Sequence, residues 1–282
     1  MIGAADPLAL TNSAFGNTLE HVQVQTASWC NRTCAFCPSG TFDIPKTFMA
    51  DEVLDRLSSE LRRLGFAGRF SPYLMNEPLL DKRLHERLSR VRSVLDKATF
   101  FISTNADALS LELGLSLFDA GLDRMLVNLY DADGAARDRA VGVISALAKA
   151  KPDLRIVKDT AFPELVDTPD ITGEKLIAVS DASSWKVDEL TNRAGNVVDA
   201  AVPAEPLKAS CYRPFRQVYV RYTGDVVLCC CDWRGEVVFG NVMEADLDVI
   251  LGGRLANTYR DHLRRKDRNL PLCRSCDFDG LL

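Results

Sequence analysis

Histidine is nearly missing from this chain: only His21, His85 and His262 occur in 282 residues. So few imidazoles argue against a histidine-built metal site or a Ser–His–Asp triad. No apolar stretch approaches the ~20 residues of a membrane-spanning helix. Residues 1–18 carry Asp6 but no Lys or Arg, so the basic start of a signal peptide is lacking. No Lys/Arg block stands out against a net charge of −5, which argues against nucleic acid. Cysteine is absent between Cys37 and Cys211, although the chain holds nine. A cytoplasmic protein is expected, with no membrane or nucleic-acid partner. Its thiols, kept reduced, read as ligands or reactive groups rather than disulfides. Hydrophobic residues at 47% and charged residues at 26% suit one large soluble domain with a smaller appendage.

Three of the thiols fall together in Cys30-Asn-Arg-Thr-Cys34-Ala-Phe-Cys37-Pro, just after an alternating run (Val22, Val24, Thr26) that reads as a strand. A C-x3-C-x2-C loop can wrap three thiolates around one corner of a cubic iron–sulfur cluster, with one iron left open for chemistry. No fourth ligand is near, since the next Cys is Cys211 and no His lies between Cys30 and Cys37. The duller alternatives are a zinc site completed from far away, or three unrelated buried thiols.

Downstream, strands and helices alternate. Residues 51–64 read as an amphipathic helix (Val53, Leu54, Leu57, Leu61) capped by Asp51 and ended by Gly65. Strand 70–74, a helix through Leu84, Leu88, Val91 and Leu95, and strand 98–103 follow. Next come a helix through Leu109, Leu113 and Leu117 ending at Gly121, strand 125–129, helix 136–150 and strand 154–157. Such alternation predicts a parallel sheet with helices outside it and functional groups at the C-terminal strand ends. Polar residues stand at those ends: Asn76 and Glu77, Ser103 and Asn105, Asn128 and Tyr130. Their plainer reading is as turn formers. Between residues 161 and 206 the alternation is lost. There Asn192-Arg193-Ala194-Gly195-Asn196 reads as a turn with a positive φ at Gly195 or Asn196.

The other six cysteines frame a hairpin. Val218, Val220 and Tyr222 alternate, Thr223-Gly224-Asp225 turns, and Val226–Leu228 returns. Cys211 precedes it, Cys229, Cys230 and Cys231 follow it, and Cys273-x2-Cys276 lies near the end. Four thiolates gathered from this set suit zinc or a fully ligated 4Fe–4S cluster, and spacing does not separate the two. On a regular strand Cys229 and Cys231 would share a face and Cys230 would oppose them.

Cys30, Cys34, Phe36 and Cys37 resemble the C-x3-C-x-aromatic-C signature of the radical S-adenosylmethionine (radical SAM) enzymes. The resemblance implies a 4Fe–4S cluster on Cys30, Cys34 and Cys37 whose open iron is chelated by SAM. It also implies a partial (β/α)6 barrel. Glu77 and Pro78 match the end of the family's Gly-Gly-Glu-Pro motif for the SAM amino group, while Met75 and Asn76 replace its glycines. By family position Phe36, Asn76, Glu77, Ser103, Asn105, Asn128 and Arg193 are candidate SAM contacts, with Arg193 also a candidate toward substrate. The C-terminal pattern resembles the SPASM/twitch domain in its shorter twitch form. That implies a second, auxiliary 4Fe–4S cluster on Cys211, Cys229, Cys273 and Cys276.

The expected fold is therefore α/β. It has an N-terminal extension (1–19), a radical SAM partial barrel (20–200) and a small cysteine-rich twitch domain of β-hairpin plus helix (201–282). Single-twitch enzymes resemble those acting on sugars, aminocyclitols and aminoglycoside-type molecules. The expectation is hydrogen abstraction from a small carbohydrate-like substrate and epimerisation, with Cys231, or else Cys230, returning the hydrogen atom. The alternative is dehydrogenation of an alcohol with the auxiliary cluster as electron acceptor. Peptide modification and a non-catalytic iron–sulfur or zinc protein are the remaining readings. A one-electron reductant such as flavodoxin or ferredoxin would be the partner.

Overall fold

The computed structural model describes residues 19–158 and 175–280. Six strands run parallel: β1 (His21–Val24), β2 (Arg69–Ser71), β3 (Thr99–Thr104), β4 (Arg124–Leu129), β5 (Arg155–Lys158) and β6 (Leu176–Asp181). Helices α1 (Asp51–Arg63), α2 (Leu84–Val94), α3 (Leu111–Asp119) and α4 (Ala135–Ala150) lie between them in sequence. The chain then forms a short helix α5 (Arg213–Arg216), strands β7 (Gln217–Val220), β8 (Asp225–Val227) and β9 (Val238–Asn241), and helices α6 (Leu247–Leu251) and α7 (Arg254–Arg264). All nine strands join one sheet in the order β5-β6-β4-β3-β2-β1-β7-β8-β9. Strand β7 pairs parallel to β1, so the sheet runs unbroken from the parallel part into the cysteine-rich part. Among the described residues no helix is long and apolar enough to cross a membrane.

The two faces of this sheet differ, and the period of two explains how. Val22, Val24, Phe70, Phe100, Ile102, Met125, Val127, Ile177, Val179, Val218 and Val220 all enter one core. The helices cover that side with Leu54, Leu57, Leu61, Leu84, Leu88, Leu117 and Leu147. The intervening residues line the other face, and most are polar: His21, Gln23, Arg69, Ser71, Ser103, Arg124, Asn128, Ser180 and Tyr219. A parallel sheet packed by helices on both faces reads as nearly continuous apolar runs. Here alternation leaves one face largely polar. His21 Nδ1 faces Arg69 Nη2 at 2.8 Å and its Nε2 faces Ser71 Oγ at 2.8 Å. Burial and the Arg69 charge hold that imidazole well below its ordinary pKa, so Nδ1 accepts and Nε2–H donates.

Several expectations change at this level. Strand β6 was not foreseen within the irregular stretch, although Leu-Ile-Ala-Val is a short buried apolar run. It lies between β4 and β5, so the last two parallel strands exchange the order that simple succession predicts. Strand β2 stops at Ser71 because Pro72 cannot continue the ladder. Asp51 does not cap α1: Ala50 is the cap residue, and Asp51 pairs with Arg87 instead. Helix α4 starts one residue earlier than expected, after Gly134 at φ 93°.

Candidate active site

The loop that carries Cys30, Cys34 and Cys37 leaves the C-terminal end of β1 and is closed at its base. Ser28 N donates to Thr47 O (2.9 Å), Met49 N donates to Thr26 O (2.9 Å), and Ala27 bridges Phe48. Arg87 of α2, fully buried, donates to the Thr26 and Met49 carbonyls and pairs with Asp81 and Asp51 at 2.8 Å each. One guanidinium thus grips both ends of the loop. Cys37 N donates to Cys34 O (2.9 Å), which folds the last two thiols into one turn.

Inside the loop Arg32 reaches over the strand ends. Its Nε and Nη2 donate to Asp107 at 2.7 and 2.6 Å, and its Nη1 and Nη2 donate to Asp131 at 3.2 and 2.7 Å. Asp107 follows β3 and Asp131 follows β4, so a forked side chain pins the loop to two neighbouring strands. Asn31 adds a 2.7 Å bond to Asp107, and Asn105 Nδ2 donates to Asn31 Oδ1 at 2.9 Å. Asn105 Nδ2 also lies 3.8 Å from Cys30 Sγ. Burial pushes the bare Cys30 thiol up to about 11 and raises Cys34 and Cys37 as well. Thiols held this way give up their protons to a bound cation rather than to water. The donor set and its pinned geometry fit a three-thiolate cluster site.

Glu77 sits beneath these groups, 3% exposed. Its carboxylate accepts from Leu79 N (3.0 Å), Thr104 Oγ1 (2.6 Å) and Asn105 N (2.9 Å), while its own N–H donates to Trp29 O (3.1 Å). The residue ties β2, β3 and the cysteine loop together. Asn76 turns back on Leu74 N (3.0 Å) and Thr26 Oγ1 (3.4 Å). Asn128 Nδ2 donates to Ser103 Oγ (2.9 Å), and Asn128 Oδ1 is buried without a partner among the described residues. Phe36 packs on Tyr130 and Trp185 with centroids 5.6 and 5.7 Å away, forming an aromatic wall beside the thiols.

A second site forms where Cys211, Cys229, Cys273 and Cys276 line one small cavity together with Arg213 and Arg268. Cys211 precedes α5, Cys229 follows β8, and Cys273–Ser275 is a 3-10 turn opened by Leu272 at φ 63°. Burial raises all four thiols, Cys273 to about 12. Four sulfurs around one void satisfy a tetrathiolate group completely.

Arg193 lies on a loop that Asn192 ties to the second site. Arg193, Ala194 and Gly195 all adopt left-handed φ (51°, 59° and 79°), a costly run for non-glycine residues. It is held by Asn192, whose Nδ2 donates to Ala201 O (3.0 Å) and Ser275 O (2.8 Å). Asn196 Nδ2 donates to Arg193 O (2.8 Å) and Cys231 O (2.9 Å). The Arg193 charge is felt at both Cys37 and Cys230.

Comparison with known proteins agrees with this geometry. Residues 211–277 match the SPASM family, an iron–sulfur cluster-binding domain. The chain is 27% identical over 258 residues to the S-adenosyl-L-methionine-dependent 2-deoxy-scyllo-inosamine dehydrogenase of Niallia circulans, across 91% of this chain and 92% of that protein. It superposes on BtrN in complex with AdoMet and 2-DOIA with a TM-score of 0.71 and 25% identity, covering 92% of this chain and 93% of that one. The chain is a radical SAM enzyme. Its C-terminal part is a SPASM/twitch-type domain, and its cofactors are SAM and 4Fe–4S clusters. GTP 3',8-cyclase of Chlorobaculum tepidum is 28% identical over 189 residues, 60% of this chain and 56% of that protein. The anSMEcpe structure with bound AdoMet, 12% identical with a TM-score of 0.55, shares the fold.

Within this radical SAM frame the foreseen residues at the strand ends fall into two groups. Cys30, Cys34, Cys37, Phe36, Glu77 and Asn105 come together at the strand ends, with Ser103 and Asn128 side by side on the polar face. Glu77 already accepts three internal bonds, two on Oε1 and one on Oε2.

The strand alternation expected for Cys229, Cys230 and Cys231 is not observed. Strand β8 ends at Val227, and Asp232 N closes a turn on Cys229 O (3.1 Å), so strand alternation does not extend through these thiols. Cys231 is 1% exposed in the apolar cluster of Leu228, Val237, Tyr259 and Leu272, and Cys230 is half-buried toward Arg193. Arg32, Asp107 and Asp131 were not foreseen as site residues. Only the position of Arg32 inside the cysteine loop pointed to it.

Proposed function

We propose that this enzyme dehydrogenates a secondary alcohol of a small aminocyclitol or aminosugar. The observation that carries the reading is end-to-end similarity to a 2-deoxy-scyllo-inosamine dehydrogenase, with every expected cluster cysteine present. This favours dehydrogenation over the epimerisation expected from sequence. The buried position of Cys231 adds support, because a hydrogen donor must touch its substrate.

Cys30, Cys34 and Cys37 would hold the SAM-binding cluster, and Cys211, Cys229, Cys273 and Cys276 the auxiliary one. When bound, these groups with SAM supply a hydrogen-atom abstractor and a one-electron acceptor. An alcohol becoming a ketone loses one hydrogen atom, one electron and one proton, so both functions are needed.

The chain's own residues prepare the chamber. Arg32, Asp107 and Asp131 fix the cysteine loop above the strand ends. The Phe36–Tyr130–Trp185 wall excludes water from the abstracting side. Asn128 Oδ1, desolvated and unpartnered among the described residues, would accept a hydrogen bond from a cosubstrate or substrate hydroxyl. Arg193, whose charge is felt at both Cys37 and Cys230, would orient the reacting hydroxyl. A flavodoxin- or ferredoxin-type protein would deliver the initiating electron.

Anaerobic incubation of reconstituted enzyme with SAM, dithionite and 2-deoxy-scyllo-inosamine tests the reading. Formation of 5'-deoxyadenosine with an equal amount of ketone is expected. Deoxyadenosine without ketone, or with an inverted alcohol, would overturn it. Epimerisation is the second reading, resting on the half-buried Cys230 thiol outside the four-thiol cavity.

A further inference from the structure

The four-thiol cavity is lined by two arginines, Arg213 and Arg268. Arg268 is 2% exposed, and its guanidinium donates to the carbonyls of Ala209 (2.9 Å), Ser210 and Phe278. Arg213 is half-buried; its guanidinium lies 3.8 Å from the Phe278 ring centroid and its Nη1 donates to Cys231 Sγ at 3.5 Å. Among the described residues neither guanidinium makes an ion pair with a carboxylate, whereas Arg87, as buried as Arg268, has two. A desolvated cation without a counter-charge is costly, so a fold that keeps two beside one cavity implies an anion inside it.

The two guanidinia offset the charge of the cluster itself. Four thiolates on a 4Fe–4S core of charge 2+ carry a net 2−, and two guanidinia carry 2+. Asp277 is the carboxylate whose charge reaches Cys276, and its Oδ2 is engaged by Asn192 N at 2.8 Å.

We infer that Arg213 and Arg268 are the counter-ions of the auxiliary cluster and raise its reduction potential. One-electron reduction takes the tetrathiolate cluster from 2− to 3−, and cations held in a low-dielectric wall favour the more negative state. Both guanidinia are fixed before the electron arrives, so little reorganisation is required. Arg213 Nη1 also lies 3.5 Å from Cys231 Sγ, and its charge reaches Cys230 and Tyr219. Under the dehydrogenation reading, on which this catalytic use rests, the pair makes the cluster an acceptor for the substrate's electron. The two arginines are positioning residues: they act through the cluster.

Redox titration of the fully loaded enzyme, followed by low-temperature EPR, tests the inference. Added SAM alters the signal of the open-iron cluster, so the unaffected signal identifies the auxiliary one. Arg213→Met is expected to shift the auxiliary reduction equilibrium about tenfold toward the oxidised form, 59 mV for a one-electron couple. Arg213→Lys should recover most of the shift, and the SAM cluster should keep its midpoint.

Arg268→Lys and Arg268→Met form the second pair, because loss of three carbonyl contacts can unfold the full deletion while the Lys variant keeps the charge. Unchanged auxiliary midpoints in cluster-loaded Met variants, equal shifts at both clusters, or no redox-active auxiliary signal would each overturn the inference. The dehydrogenation reading is judged separately by ketone formation in the unaltered enzyme. A shifted midpoint without ketone would remove the substrate assignment and leave the counter-ion role standing.

Discussion

Arg32 and Asp107, 75 residues apart, meet in a two-pronged ion pair of 2.7 and 2.6 Å that ties the cysteine loop to the end of β3. The same guanidinium takes Asp131 beyond β4, and both partners of the first pair are about one-fifth exposed. Lysine cannot reproduce a fork serving two carboxylates. Arg32→Lys is expected to lower iron retention at the SAM site and slow deoxyadenosine formation by about tenfold, from loss of charge-assisted bonds contributing about 1.5–3 kcal/mol. Iron content and dithionite-driven SAM cleavage check this, and wild-type values for both would show that the fork is ornamental. Asp107→Asn should weaken the loop in the same direction, and the double variant should cost less than the sum.

Arg87 offers a sharper stability test, since Asp81 beside it is 1% exposed. Arg87→Met removes the cation and leaves a desolvated carboxylate together with two abandoned carbonyls. Destabilisation of about 3–5 kcal/mol is expected, read as a lower unfolding midpoint in denaturant. Arg87→Met combined with Asp81→Leu should recover part of that loss, because the uncompensated charge is gone.

What the sequence made legible, and what it hid, follows from the range of each signal. Cys30, Cys34 and Cys37 lie within eight residues, and the four thiols of the second site are marked by residue type, so their chemistry could be read directly. Arg32 with Asp107 and Asp131 was invisible as a network, because closure across 75 and 99 residues depends on strand ends that only the fold aligns. The facing of Cys230 and Cys231 was not legible, since a period of two holds only to Val227, where the chain turns. The helices and the first strands were legible because their apolar residues face a single core. Strand β6 lacked flanking periodicity and was passed over. The exchange of β5 and β6 is a matter of tertiary pairing that no local pattern encodes.

The auxiliary thiols should be separable from SAM cleavage. Cys273→Ala with Cys276→Ala removes two of four cavity thiols and is expected to reduce iron from about eight to about four per chain. Deoxyadenosine formation with dithionite should persist while ketone formation stops. Persistent ketone formation in this variant would mean that the substrate's electron leaves by another path.

Turnover in deuterated water decides between the two fates of the substrate radical. Cys231 is enclosed and Cys230 half-buried, so a thiol donor, if there is one, is Cys230. Under dehydrogenation, Cys230→Ala keeps ketone formation within a few-fold of wild type, and no solvent-derived deuterium enters at the attacked carbon. An alcohol carrying one deuterium there, lost in Cys230→Ala, would establish epimerisation instead.

Glu77 gives the enzyme a pH signature whose sign is fixed by burial. Desolvation outweighs the three bonds from Thr104, Asn105 and Leu79 and pushes its carboxyl up to about 7 from an ordinary 4.5. The folded state therefore holds this proton more tightly than the unfolded chain does. The stabilisation is fully present below about pH 4.5 and is lost as pH climbs to about 7, an effect of about 3 kcal/mol over that window. Glu77→Gln cannot titrate, so its unfolding midpoint should fall less than that of wild type between pH 5 and 7, and the two slopes should converge above pH 8. Absolute stability of the variant is a poor readout, because the amide NH2 must face either the Asn105 or the Leu79 N–H donor. The difference in slope is the measurement, made on cluster-loaded protein without SAM, and parallel curves from pH 5 to 8 would mean that Glu77 is ionised throughout.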